Sequence, residues 1–423
     1  MKKLITFLFL LSIVLALPAQ SLYGKLQPVS KEDLKMETYE KDEEAGAVVL
    51  YDFGDSSFEP STEGFDLKFK KVTRIKILNT AGLDFAEIEI PIYMNGKEKE
   101  KVIKLKATTY NLEGETITET QLNISNTYNE KVNEYYEVMK FAMPNVKEGS
   151  IIEYSYTLIS PYFYNLQDWN FQWRIPVKHS EYQVKLVPYY TYKWLLQGAI
   201  KFDWQKSIPA SGLEKNIHGI KYKEMIHSYV MKDVPAFRDE QFITTVDDYR
   251  IKMEWQLIKY ANIRGIETNY RSTWEKIIED YLKSNNLGKF VKKATKNAAK
   301  MIDVGAIRQM DERDRINAVI SYVKENYSWN EVHTKYALKS FKELQKEKTG
   351  SVGDLNLLTI GLLNAVGIDA KPMISSTRQH GKIYYEYAYT HFFNYTLIYA
   401  PIGEEYILLD ATDSYLSNFS IPD

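Results

Sequence analysis

From about residue 45 to 265 the chain alternates apolar and polar positions with a period of two, the pattern of strands that bury one face. In DLKFKKVTRIKIL the positions Leu67, Phe69, Thr73, Ile75 and Ile77 make one face, interrupted by Lys71. Ala86, Ile88, Ile90 and Ile92 repeat the pattern in AEIEIPI, and Ile152, Tyr154, Tyr156 and Leu158 repeat it in IIEYSYTL. Turn signals at Asn111-Leu112-Glu113-Gly114 and Lys147-Glu148-Gly149 separate such runs. Many alternating strands without helices between them predict an antiparallel sandwich or a pair of packed sheets.

The period lengthens near residue 272. Ser272 with Glu275 reads as a capping box, and Trp274, Ile277, Ile278 and Tyr281 share one helical face. A second helix is predicted from Asp311, burying Ile316, Val319, Ile320 and Val323. A third is announced by KTGSVGDLNLLTIGLLNAVGID at 348–369. There Ser351 and Asp354 form a capping box, and Leu355, Leu358, Thr359, Leu362, Leu363 and Val366 recur at helical spacing. Gly367 suits a left-handed C-terminal cap. Strands return in FFNYTLIY at 392–399 and EYILLDATD at 405–413. The expected fold class is α+β: an N-terminal antiparallel β-sandwich-like domain over 22–265, then an α+β domain over 266–423.

Residues 1–21, MKKLITFLFLLSIVLALPAQS, read as a secretory signal peptide: two lysines, an apolar run from Leu4 to Leu17, then small residues. No later stretch reaches the ~18 apolar residues of a membrane-spanning helix. An exported protein, periplasmic or secreted, is therefore expected. Export gives weight to the absence of cysteine. It excludes disulfides, thiolate metal sites, a cysteine nucleophile and a lipid-modified cysteine anchor. The formal net charge is -2 without strong basic clusters, so no nucleic-acid partner is expected. The 33 tyrosines fit a large amount of sheet.

Chemistry is harder to place. The six histidines, His179, His218, His227, His333, His380 and His391, include no pair three to five residues apart, so no metal and no cofactor is expected. Asp247 and Asp248 are adjacent, would point to opposite faces of a strand, and read as a solvated turn. Trp169, Trp173 and Trp204 sit among strands and read first as packing residues; stacking platforms for a sugar or peptide are the alternative.

Several phrases of the second domain are those of a known family. Gly350 and Asp354 fit a Gly-x-Cys-x-Asp motif, Gly367-Ile368-Asp369-Ala370 fits Gly-Ile-x-Ala, and Leu409-Asp410-Ala411-Thr412 fits a Leu-Asp-Ala-Thr strand end. With these the domain resembles the transglutaminase-like family, a branch of the papain-like thiol enzymes. The β-rich half is similar to a domain of unknown function that precedes such modules in exported proteins of Gram-negative bacteria. GSIIEY at 149–154, RIPV at 174–177 and DVPAF at 233–237 carry that similarity. The resemblance covers roughly residues 45 to 415.

That family works through a thiolate that attacks an acyl carbon, a histidine that handles the proton and an aspartate that orients the imidazole. The resemblance puts the cysteine position on Val352, the histidine position on Tyr395 and the aspartate position on Asp410. Two of the three chemical functions are gone. Candidate cleft residues are Ser351, Val352, Asp354, Asn394, Tyr395 and Asp410. Ser351 reads as the helix N-cap, and His391, on a strand with Tyr395, would lie ~13 Å from it. The leading expectation is an exported non-catalytic pseudo-transglutaminase, a binding or scaffold protein for a peptide, glycan or envelope protein. Its rivals are an acyl-transfer or hydrolytic enzyme using Ser351 with a histidine or Tyr395, and a structural envelope component whose β-rich half does the work.

Overall fold

The computed structural model describes residues 26–423 except 63, 133, 134, 218, 239, 241–243, 263–265, 270–272, 386, 387, 420, 422 and 423. The segment read as a signal peptide, His218 and Ser272 lie outside the described residues.

The alternating half builds an eight-stranded sheet. Its strands lie in the order Trp204–Pro209, Met225–Val234, Val177–Leu186, Ala47–Ser61, Gly64–Ile77, Ile151–Ser160, Lys101–Glu113 and Thr116–Gln121. All of its pairings are antiparallel except one, Ala47–Ser61 with Val177–Leu186, where Val49 pairs with Val177. Two smaller sheets are centred on Glu87–Asn95 with Tyr136–Ala142, and on Tyr190–Gln197 with Lys252–Ala261. One core joins the three sheets and includes Leu67, Phe69, Ile75, Ile90, Ile152, Leu158 and Met253. The alternation thus finds its apolar face.

Lys71, the break in that face, is half-buried and tethered. Its Nζ lies 3.1 Å from Asp52 and 4.2 Å above the Trp169 ring. Trp169 is buried and stacks on Tyr182 with centroids 5.0 Å apart. Gly54 lies beneath the indole; a Cβ there would come within 2.4 Å of Trp169, so no side chain fits. Trp204, expected to pack, instead stands exposed on the outermost strand, where no further strand covers it.

The second half gathers its helices on a three-stranded antiparallel sheet, Lys371–Ser375, Tyr395–Ile402 and Glu405–Leu409. It has a separate core that begins at Leu287 and includes Ile316, Val319, Ile320, Val323, Leu355, Leu358 and Ile398. The helix Trp274–Lys283 is capped by Thr273, whose side chain accepts from the Lys276 amide, one residue after the expected cap. Its Ile278 points to solvent, against expectation. Helix Glu312–Asn326 starts where expected, and Asp311 caps it by accepting from the Asp314 amide.

Helix Val352–Ala365 is buried on every side from Val352 to Leu363. It runs between helices and sheet, so polar residues inside it need internal partners. Thr359 donates to the Leu355 carbonyl at 2.8 Å. Gly361 permits contact with the neighbouring helix, since a Cβ there would meet that of Ala294 at 2.4 Å. Gly367 has φ +88°, the left-handed cap the sequence called for. Among the described residues no helix is long and apolar enough to cross a membrane.

Candidate functional site

The start of that helix is fixed by a reciprocal capping box. The Ser351 Oγ accepts from the Asp354 amide at 3.3 Å, and the Ser351 amide donates to Asp354 Oδ2 at 2.9 Å. The Ser351 hydroxyl also donates to Asp354 Oδ2 at 2.8 Å, while Asp354 Oδ1 accepts from the Lys339 amide at 3.0 Å. Both residues are buried. Both side chains are therefore spent on holding the helix start. The loop before the helix lies directly on it: a Cβ at Gly353 would come within 2.2 Å of the Tyr336 carbonyl.

Val352 is the first helical residue and has no solvent exposure. It packs with Tyr395 and Leu397 in a small buried cluster, with Trp329 and Leu408 alongside. Tyr395 opens its strand and aims its hydroxyl at Asp410, donating to Oδ2 at 2.9 Å. Asp410, just past the end of strand Glu405–Leu409, is buried and accepts further bonds. Asn356 Nδ2 reaches its Oδ2 at 2.7 Å, the Thr412 amide reaches Oδ1 at 2.8 Å, and the Thr412 hydroxyl donates to the same oxygen. Burial, and then the negative charge of Asp410, push the Tyr395 phenol far above its ordinary value. The phenol is thus neutral at any physiological pH, and its proton is already committed to a carboxylate. In this structure it serves as a donor.

Asn356 was not foreseen. Its Nδ2 also donates to the Thr396 carbonyl at 2.8 Å, and its Oδ1 accepts from the Ala411 amide at 2.9 Å. One side chain thereby clips the helix to both strands that carry Tyr395 and Asp410. The available signal was a lone amide in the otherwise apolar run LNLLTIGLL.

The other expected residues fall in different places. Asn394 exchanges two 2.9 Å bonds with Thr377 and closes the loop after Ser375; it stands outside the Val352 cluster. His391 lies in a short turn, Thr390–Phe392, and not on a strand; its imidazole faces Glu254 of the first domain at 3.9 Å. The imidazole near Tyr395 is that of His333, with ring centroids 5.5 Å apart, stacked on Trp329 at 5.4 Å. Nothing in its spacing signalled this. Asp248, expected in a solvated turn, is buried and accepts the Lys382 amide at 2.6 Å, whereas Asp247 is exposed beside Arg250. Among the described residues no group of three or more histidines and carboxylates could hold a metal ion.

Above the Val352 cluster opens a cleft of about 440 Å³, lined among others by Trp329, His333, Ser376, Arg378, Tyr395 and Asp413. It offers an aromatic wall, hydroxyls and charges of both signs.

Residues 68–216 match the domain of unknown function DUF3857, and residues 304–410 match the transglutaminase-like superfamily. The chain is thus a β-rich DUF3857 domain followed by a transglutaminase-like α+β domain. A solved structure described as a candidate protease, from Parabacteroides distasonis, shares this architecture. Its TM-score is 0.58 at 14% identity, covering 87% of this chain and 67% of that one, a likeness of fold alone. A candidate nutrient-binding protein of Legionella pneumophila aligns over 76% of this chain and 94% of its own, at 7% identity. Its TM-score of 0.23 gives it no weight. No curated protein matches the chain.

Proposed function

We propose that this protein is exported to the periplasm or beyond, and that its domain from about residue 266 onward is a non-catalytic pseudo-transglutaminase. In this reading Val352, Tyr395 and Asp410 stand at the three triad positions, and the cleft beside them binds a peptide, a glycan or a segment of an envelope protein. The observation that carries it is the Tyr395–Asp410 hydrogen bond next to a fully buried Val352. A buried valine stabilises by roughly 1.5–3 kcal/mol, whereas reactive groups at such a seat commonly cost stability. The Ser351 rival is disfavoured because its hydroxyl is occluded and donates to Asp354, with no imidazole among the described residues bonded to it.

A displayed peptide library panned on the full chain tests the binding role. Peptides enriched on the parent protein and lost on Arg378→Glu support the cleft. Enrichment indifferent to that substitution, and to His333→Ala, would place binding elsewhere.

A further inference from the structure

The two smaller sheets of the β-rich domain each leave a strand edge open toward one cleft. In the first sheet, the Met143 amide donates to the Ala86 carbonyl at 2.9 Å and the Met94 amide to the Tyr135 carbonyl at 2.8 Å. Antiparallel pairing alternates, so the even positions of Glu87–Asn95 bond to Tyr136–Ala142 and the odd positions turn away. On that free side the Glu87 amide donates to the Asp84 carbonyl, and the Tyr93 amide to Glu100 Oε2 at 2.8 Å. Between them the Glu89 N–H and the carbonyls of Glu87, Glu89 and Pro91 have no partner among the described residues. In the second sheet the Phe171 amide donates to the Ile251 carbonyl at 2.9 Å. The same alternation turns both backbone groups of Asn170 away from Lys252–Ala261. Glu89, Pro91 and Asn170 line a single cleft of about 480 Å³.

We propose that this cleft binds an extended segment of a partner protein, added as a strand on the free edge of Glu87–Asn95. The unpaired carbonyls of Glu87, Glu89 and Pro91 recur at every second residue, ~6.8 Å apart, the repeat of the groups on one side of an extended chain. A saccharide or a compact ligand offers no such row, whereas strand addition uses it directly.

An added strand alternates its side chains between the cleft floor and solvent. The floor is aromatic: Phe69, Tyr154 and Tyr156 rise from the inner strands Gly64–Ile77 and Ile151–Ser160, and all three are buried. The segment is therefore apolar at every second position. Tyr156 is 8% exposed, yet its hydroxyl makes no hydrogen bond among the described residues, so it is left for the incoming backbone. Three charged side chains of the cleft are already paired: Lys71 with Asp52, Arg250 with Asp247 and Glu89 with Lys140. Recognition rests on backbone bonds and apolar contacts.

Fluorescence polarisation of the full chain with labelled hexapeptides tests this, using a pool that carries Val, Ile, Leu or Phe at alternate positions and Ser or Thr between them. Binding by members of the pool is expected. Glu89→Pro removes the one free N–H of the edge and spares the bonds to Tyr136–Ala142, as Pro91 already does two residues on. It should weaken the best peptide about fivefold with circular dichroism unchanged, whereas Glu89→Ala, which keeps the N–H, should bind like the parent. A copy of that peptide with every backbone amide N-methylated should not bind, and this copy decides the matter where Glu89→Pro does not fold. The proposal is overturned if no member of the pool binds, if folded Glu89→Pro binds like the parent, if Glu89→Ala loses as much, or if the methylated copy binds equally. Dimerisation of the free chain by light scattering that Glu89→Pro abolishes would also overturn it, in favour of a second copy of this chain.

Discussion

Tyr395 donates its phenolic proton to Asp410 across 2.9 Å, in a pocket where both side chains are buried and Val352 seals one side. A carboxylate at this position in a thiol enzyme would orient an imidazole. Here it is saturated by a phenol, an amide side chain and the groups of Thr412. The pair fastens strand to strand.

The strength of that fastening should follow the number of bonds each partner makes. Tyr395→Phe removes one donor from a carboxylate that keeps three, and should cost about 1–2 kcal/mol of stability. Asn356→Leu strands the Thr396 carbonyl, the Ala411 amide and part of Asp410 together, and should cost about 3 kcal/mol or more. Urea unfolding of the two variants checks the order.

Rebuilding the lost groups tests the placement of the triad positions. In Val352→Cys with Tyr395→His, the thiol should sit at the helix start beside an imidazole held by Asp410. Its pKa should fall below the ~8.5 of a free cysteine. Thiolate absorbance against pH measures it. A folded double variant whose thiol titrates like a free cysteine would show that these positions do not form the family's site.

Ser351→Ala should be a stability variant. It deletes the cap of the Asp354 amide and one donor to the Asp354 carboxylate, for a loss of about 1–2 kcal/mol. Thermal unfolding reads the loss.

Lys76 gives the protein a distinct alkaline behaviour. It is fully buried, its Nζ donating to the carbonyls of Leu34 at 2.6 Å and Gly149 at 2.7 Å, and burial lowers it to about 8 despite Asp33. Its unfolded value is ~10.4, so between pH 8 and 10 the unfolded chain holds the proton more firmly than the folded one. The Lys76 contribution to stability therefore rises with pH across that window and is lost as pH falls through it. Urea unfolding at pH 7.5 and 9.5 should show the parent gaining on Lys76→Met.

Local signals carried much of this architecture. The Ser351–Asp354 box, the helix start near Asp311 and the left-handed Gly367 follow from short-range patterns, and each appears in the structure. The alternation of Leu67, Ile75 and Ile152 identified buried faces because a sheet imposes its period on the sequence. What could not be read depends on distant contacts. Neither the bond of Asn356 to Asp410, 54 residues on, nor the approach of His333 to Tyr395 leaves a trace in spacing. Lys71 looked like an error in its strand because its partners, Asp52 and Trp169, lie on other segments.

The central claim is that this site performs no acyl chemistry. Its most direct test is incubation of the full chain with a glutamine-donor protein and a fluorescent amine, in parallel with a fluorophosphonate probe. Neither amine incorporation nor covalent labelling should exceed that of heat-denatured protein. Incorporation or labelling by the native chain that disappears in Ser351→Ala would contradict the account.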